Sequence, residues 1–180
     1  SDLRTYLLHG VTGSGKTEVY VQCIRRVIEQ GKQAIVLIPE IALTYQTIKY
    51  FTRYFGERVT VVNSRLSSGE RYDQFERAKK GDVDVVIGPR SALFTPFERL
   101  GLIIIDEEHE SSYKSDNPPK YHARETAIER ARLEGASVIL GSATPSVESY
   151  KKAMSGEFRL WTMDERVSDR KMADTSIVDL

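Results

Sequence analysis

The residues best suited to phosphate chemistry lie near the amino terminus, in residues 10–17, GVTGSGKT. The segment fits the pattern G-x-x-x-x-G-K-[ST] at every fixed position, between a strand-like run and a helix-like stretch. Glycines let backbone N–H groups turn around a phosphate, the lysine reaches the β- and γ-phosphates, and the last hydroxyl ligates Mg²⁺. We predict that these residues bind a nucleotide, with Thr17 as a metal ligand: Gly10, Thr12, Gly13, Ser14, Gly15, Lys16, Thr17 and Glu18.

A second group of reactive side chains, Asp106 to His109, follows the apolar run of residues 102–105. A phosphate loop needs a carboxylate on the metal side at a neighbouring strand end, and Asp106 is placed to hold Mg²⁺ through water. Glu107 is placed to orient and deprotonate an attacking water, which favours a hydrolase over a small-molecule kinase. Glu108 is expected to face solvent.

His109 calls for a partner near the same phosphate. The segment after the next predicted strand, residues 141–144 (GSAT), supplies hydroxyl groups. Ser-Ala-Thr by itself also makes an ordinary helix cap before a proline. Because it occurs together with D-E-x-H, we predict that His109, Ser142 and Thr144 link the catalytic strand end to its neighbour.

These residues have to be positioned by a sheet, because strand-like and helix-like segments alternate along the chain. The predicted strands are residues 5–9, 34–38, 59–62, 83–87, 102–105, 138–140 and 158–162. The predicted helices are residues 16–30, 43–55, 68–80, 123–134 and 146–154, several of them followed by glycine. Strand–helix–strand repeats predict an α/β fold with a parallel sheet of about seven strands and helices on both faces.

Composition limits the classes of function. Lys plus Arg and Asp plus Glu both number 26, so any contact with nucleic acid has to be a local groove. The single cysteine, Cys23, excludes a disulfide framework and a cysteine-based zinc site, and is expected to pack in the core. No apolar run approaches the ~18 residues of a membrane helix. We therefore expect a soluble, cytoplasmic protein with no membrane partner.

The three motifs together resemble motifs I, II and III of superfamily 2 helicases. Within that superfamily, an ordered set of segments resembles the PriA family of replication-restart helicases: residues 13–20, 38–44, 67–71, 90–97, 102–109, 112–114, 121–124 and 141–146. The resemblance reaches to about Thr162 and corresponds to the first RecA-like lobe of the motor. It implies that residues 1–165 form this ATP-binding lobe and that residues 166–180 form a linker toward a second lobe.

The resemblance implies a 3′-to-5′ DNA helicase that uses ATP and Mg²⁺, acts at stalled forks and supports replication restart and primosome assembly. Implied partners are single-stranded and forked DNA, the second lobe, primosome proteins and single-strand-binding proteins. Zinc is expected only in other parts of the parent protein. The 180 residues, as a segment of a longer protein without the second lobe's arginine finger, are expected to be monomeric and nearly inactive.

The family likeness also implies DNA contacts. Thr44, Arg90 and Ser91 match segments that touch the strand's backbone. Residues 113–124 resemble the aromatic-rich loop that follows motif II and couples strand binding to hydrolysis. It offers stacking planes at Tyr113, Tyr121 and His122 and cations for phosphates at Lys114, Lys120 and Arg124. The alternative is a solvated loop whose tyrosines pack back on the sheet.

Other functions remain open at this point. Another superfamily 2 translocase would share motifs I to III but lack the YHAR segment of residues 121–124. A nucleotide-dependent switch would use no nucleic acid, although it would not need both Glu107 and His109 at the phosphate. A small-molecule kinase is a more distant alternative.

Overall fold

The computed structural model describes residues 4–163, which contain a seven-stranded parallel sheet with helices on both faces. Its strands are β1 (Thr5–Gly10), β2 (Gln33–Leu37), β3 (Val59–Val61), β4 (Val85–Gly88), β5 (Leu100–Asp106), β8 (Ser137–Ser142) and β9 (Arg159–Met163). Their spatial order is β3-β4-β2-β5-β8-β1-β9. β6 (Lys114–Ser115) and β7 (Tyr121–His122) form a separate antiparallel hairpin. The predicted α/β sheet of seven strands is confirmed.

Helices cover both faces of the sheet. They are α1 (Lys16–Glu29), α2 (Tyr45–Phe55), α3 (Ser68–Lys80), α4 (Ala123–Glu134) and α5 (Val147–Met154). Apolar residues of α1 and α2 share one core cluster with Ala34 and Val36, whereas α3, α4 and α5 share the other with Ile35 and Leu37. Successive residues of β2 thus point to opposite faces, as a strand covered on both sides requires. Cys23 packs against the α1 side of this core, as expected.

Element ends differ from the sequence predictions where a cap or a short turn intervenes. Residues 40–42 form a 3₁₀ turn, so α2 begins at Tyr45, with the Thr44 hydroxyl accepting from the Thr47 amide at 3.2 Å. Ser146 caps α5 in the same way. β5 and β8 extend through Asp106 and Ser142. The last residues of the predicted lobe and the predicted linker, 164–180, lie outside the described residues.

Within residues 4–163, no helix has both the length and the apolar character needed to cross a membrane.

Candidate active site

The phosphate loop leaves the carboxyl end of β1 as a tight turn. The Ser14 amide donates to the Val11 carbonyl at 3.0 Å, and Gly13 and Gly15 have left-handed φ angles of 81° and 89°, which glycine adopts without strain. A Cβ on Gly10 would lie 2.6 Å from the Ser14 hydroxyl oxygen. No side chain caps the start of α1, so its first N–H groups are directed at an anion site.

Two polar groups inside this loop are ready for a phosphate. Lys16 is buried, and its Nζ donates to the Gly10 carbonyl at 2.7 Å and the Val11 carbonyl at 3.4 Å. The buried Ser14 Oγ has no hydrogen-bond partner among the described residues. Buried polar atoms are rarely left unpaired in native proteins. An ammonium and a free hydroxyl under an uncapped helix fit a bound nucleotide phosphate.

Glu18, which is predicted to bind the nucleotide, lines a cavity together with Ser14 and Thr17 and also contacts α2. Its carboxylate accepts hydrogen bonds from Gln22 at 2.6 Å, from Tyr50 at 2.7 Å and from Tyr54 at 3.2 Å. The bonds from Gln22 and Tyr50 lower the pKa of Glu18 and keep it ionised. The Glu18 side chain therefore links α1 to α2. Thr12 lies in the loop, and Thr17 lies at the start of α1.

Asp106, the last residue of β5, is held by α1. Its Oδ1 accepts a hydrogen bond from the buried hydroxyl of Tyr20 at 2.8 Å, and burial raises the pKa of Asp106. Gly141 of β8 lies opposite Asp106 in the sheet. A Cβ there would be 1.7 Å from the Tyr20 hydroxyl oxygen, so only glycine leaves room for this contact. The helix that begins at the phosphate loop thus also directs the second carboxylate.

Glu107 and His109 form the turn that follows β5. Glu107 has a φ of 49°, a left-handed conformation that is uncommon for a residue with a side chain and that marks functional turns. Burial and the neighbouring Asp106 raise the pKa of Glu107. Its Oε2 lies 3.6 Å from His109 Nδ1, and that nitrogen lies 2.7 Å from the Ser142 hydroxyl. The Thr144 amide donates to the same hydroxyl at 2.9 Å, so the three predicted linking residues are in contact.

The oxygen donors at this edge suit magnesium. Thr17 provides a hydroxyl at the start of α1 and Asp106 a carboxylate at the end of β5, and Mg²⁺ prefers oxygen ligands while keeping several waters. The donor set therefore fits the predicted Mg²⁺.

Glu108 does not face solvent, which corrects the sequence prediction. Its side chain is fully buried and accepts from the Ser146 amide at 2.6 Å and the Ser149 hydroxyl at 2.9 Å. It also pairs with Arg124 at 3.1 Å. The turn directs residues 107 and 109 outward and residue 108 inward. Glu108 therefore stabilises the fold by joining the end of β5 to α4 and α5.

Arg124 is accordingly not the phosphate contact that was predicted. Its side chain is only 11% exposed and bonds to Glu108, Glu125, Ser146 and Ser149. These bonds join the start of α4 to the start of α5 beneath motif II. A guanidinium held in this way cannot reach a DNA backbone without breaking a buried ion pair.

Tyr113 is likewise not a stacking plane. It is 1% exposed, and its hydroxyl contacts the backbone carbonyls of Asp106 at 2.6 Å and of Leu37 at 3.1 Å. Burial raises the pKa of Tyr113, so the phenol stays protonated and able to donate. The ring anchors the aromatic loop to the ends of β5 and β2, which was the alternative reading for its tyrosines.

The rest of the loop folds as the β6–β7 hairpin. The Tyr121 ring meets the Phe94 ring edge-on at 5.2 Å and the Arg90 guanidinium at 5.5 Å. Arg90 also donates to the carbonyls of Ser112 and Lys114, so it is bound to the loop. His122 accepts from the Arg124 amide at 3.2 Å as the cap of α4, and burial lowers its pKa, so this ring serves as a helix cap.

The remaining predicted DNA residues reach the surface to different degrees. Thr44, Lys114 and Lys120 are exposed, whereas Ser91 and Tyr121 are half-buried. Their elements follow β2, β4 and β5, so they lie toward the same carboxyl edge as the phosphate loop.

Comparison with known proteins identifies the family. The model of the DEAD/DEAH box helicase family matches residues 2–153. This chain belongs to the DEAD/DEAH box helicase family. Among curated relatives, the replication restart protein PriA of Bacillus subtilis is 52% identical over 98% of the chain, and that of Chlamydia trachomatis is 49% identical over 98%. The chain spans only 22% and 24% of those two relatives, about a quarter of each.

Solved helicase structures agree with this family assignment. RecG bound to a three-way DNA junction superimposes with a TM-score of 0.65 at 26% identity, over 92% of this chain and 21% of that one. The helicase MrfA with DNA and AMPPNP superimposes with a TM-score of 0.64 at 19% identity, over 91% of this chain and 25% of that one, and supports the fold alone. The RecA-like fold and the PriA resemblance are confirmed, and the other translocase, the switch and the kinase are not favoured.

Sequence reasoning missed three residues of this site. Tyr20 belongs to the apolar face of α1, and its contact with Asp106 joins residues 86 positions apart in the chain. Gly141 was noted only as the first residue of GSAT, because nothing local shows what its missing Cβ would meet. Glu108 lies in an acidic run where only the backbone turn decides which acid points inward.

Proposed function

We propose that the chain is the ATP-binding lobe of a 3′-to-5′ DNA helicase that unwinds DNA at stalled replication forks and supports replication restart and primosome assembly. The observation that carries the ATPase part is the joining of the phosphate loop to motif II and motif III. Tyr20 connects α1 to Asp106, and His109 connects the following turn to Ser142. The DNA part is supported by the similarity to PriA proteins.

The residues divide the hydrolytic work among them. Ser14, Lys16 and the first N–H groups of α1 would hold the phosphates, and Thr17 with Asp106 would hold Mg²⁺, which when bound would supply positive charge against the phosphates. Glu107 takes a proton from the attacking water, for which its raised pKa brings it nearer to neutral pH. The hydrogen bond between His109 and Ser142 couples the conformation of this turn to β8.

The DNA strand would cross the carboxyl edge at Thr44, Ser91, Lys114, Lys120 and Tyr121. Arg90, Tyr113, His122 and Arg124 act behind it by fixing the aromatic loop to the sheet. We further propose single-stranded and forked DNA, a second helicase lobe, primosome proteins and single-strand-binding proteins as partners. A monomeric state, a cytoplasmic location and zinc held elsewhere in the parent belong to the same proposal.

The test uses the whole protein that contains this chain. We expect Glu107→Gln to abolish ATP turnover with and without forked DNA, because the base for the water is lost, while a fluorescent ATP analogue still binds. Glu110→Gln is the matched control, since that acid lies in the same turn but only approaches His109 Nε2 at 3.9 Å. ATP turnover by the Glu107→Gln variant would contradict the catalytic role of Glu107. If forked DNA did not change the ATP turnover rate of the wild type, the helicase proposal would be contradicted.

A further inference from the structure

Arg71 is a half-buried cation that no hydrogen bond or ion pair engages within residues 4–163. It is the fourth residue of α3, and its Nε is buried. Leaving a buried N–H donor unpaired is unfavourable, because the donor has lost its contact with water without gaining another acceptor. Buried polar groups in native proteins normally have a partner, so a missing one points to a ligand from outside the fold.

Arg71 lines a cavity of about 530 Å³ at the carboxyl edge of the sheet. The cavity lies between the segments that follow β2 and β4, and Arg90, Ser91 and Tyr121 also line it. Glu40 is its only acid, and that carboxylate already accepts from the hydroxyl and amide of Ser64. Two arginines against one glutamate leave the lining with a net charge of +1.

The occupant that fits is an anion with several acceptor oxygens. A guanidinium presents a planar fork that matches a phosphate, and a serine hydroxyl adds a further donor. The cavity is separate from the nucleotide loop, because β5 and β8 lie between β2 and β1 in the sheet. A nucleotide phosphate bound at the loop is therefore not the partner of Arg71.

We propose that Arg71 binds one phosphate of the single-stranded DNA backbone in this cavity, beside Ser91 and behind the Arg90–Tyr121 pair. The inference rests on the proposed function and adds a contact from α3, an element to which neither the motifs nor the aromatic loop assigned one. The strand would then be held on both sides of the segment that follows β4.

The test measures how the whole protein binds a fluorescein-labelled oligo(dT) over a series of salt concentrations. Each single-strand phosphate neutralised adds about 0.7 to the slope of log affinity against log salt. We expect Arg71→Gln to reduce that slope by about 0.7 and to weaken binding about tenfold at low salt. Arg71→Lys should keep the slope, since the charge remains, but recover only part of the affinity, since the fork is lost.

Two controls separate binding from folding. Arg132→Gln removes an arginine that is 66% exposed on α4 and pairs with Glu129, and it should leave the slope unchanged. The melting temperature of Arg71→Gln should equal or exceed that of wild type, because a charged side chain with an unpaired buried N–H is removed. A lower value would indicate a structural role and overturn the proposal.

The outcomes also separate this inference from the proposed function. A normal salt slope in wild type together with the same slope in Arg71→Gln would overturn the Arg71 contact alone. A wild type that binds no oligo(dT) would overturn both.

Discussion

The contact between Tyr20 and Asp106 shows how one missing methyl group positions a carboxylate of the candidate site. The Tyr20 hydroxyl occupies the space where residue 141 would carry a Cβ, and from there it donates to Asp106. A buried phenol that donates to a carboxylate restricts the directions in which that carboxylate can point. Gly141 thus helps to position the proposed magnesium ligand Asp106 although it has no side chain.

We expect Gly141→Ala to destabilise the isolated chain by about 1–3 kcal/mol, because overpacking forces side chains and backbone to shift. Adding Tyr20→Phe should recover part of this loss, since the nearest atom to the new Cβ then lies 2.9 Å away and not 1.7 Å. Urea unfolding followed by circular dichroism measures both effects.

Gly69→Ala is the matched control for this pair. Gly69 lies in α3 and has nothing within 4 Å of an added Cβ, so alanine should stabilise by about 0.4–1 kcal/mol through the unfolded state. Equal effects of alanine at positions 69 and 141 would contradict the steric account of Gly141.

At the level of whole elements, one buried ion pair joins the strand that carries motif II to two helices. Glu108 follows β5, Arg124 opens α4, and Ser146 and Ser149 belong to the start of α5. The aromatic loop lies between Glu108 and Arg124 in the chain. Its two ends are therefore fixed to each other beneath the catalytic turn.

Removing one partner of this pair leaves an uncompensated buried charge. We expect Arg124→Met to lower the free energy of unfolding by about 3–5 kcal/mol. Adding Glu108→Gln to that variant should restore part of the loss, because the buried carboxylate is then neutral. Urea unfolding of the two single variants and the double variant gives the coupling energy of the pair.

The exposed pair of Arg132 and Glu129 serves as the control, and the same cycle there should show little coupling. If Arg124→Met were as stable as wild type while DNA affinity fell, Arg124 would be a phosphate contact as the sequence suggested.

The sheet and the contacts between the motifs were predictable because their signals are local. Apolar runs, glycine stops and a fixed loop pattern predicted all seven strands of the sheet and five helices, although most strand ends moved by one or two residues and the starts of α2 and α5 moved to follow the caps Thr44 and Ser146. The β6–β7 hairpin was not predicted, because two-residue strands such as Lys114–Ser115 are too short to show a periodic pattern of apolar residues. Tyr113 and Arg124 were misassigned because burial depends on partners that sequence spacing does not show.

For the molecule as a whole, positive and negative charges are balanced, and the candidate functional groups lie along one edge of the sheet. The phosphate loop, the motif II turn, the hairpin and the Arg71 cavity all follow carboxyl ends of parallel strands, where ligands of such sheets bind. The nucleotide and the DNA strand would thus lie on the same edge, separated by the width of β5 and β8. The segment that follows β5 lies between them. Its His109 contacts Ser142 of β8, and its Tyr113 contacts the Leu37 carbonyl of β2.

The chain spans about a quarter of its curated relatives, which bears on how fast it hydrolyses ATP alone. An arginine finger supplied from elsewhere is worth about 10³ to 10⁵ in rate, and in the motor proposed here a second lobe supplies it. We therefore expect the isolated 180 residues to bind a fluorescent ATP analogue but to turn over ATP at least about 10³-fold more slowly than the whole protein on forked DNA. Lys16→Ala in the isolated chain should abolish the analogue's binding, which ties any binding seen to the phosphate loop. Rapid turnover by the isolated chain would mean that its own residues complete the site, and the division of labour between two lobes would be wrong.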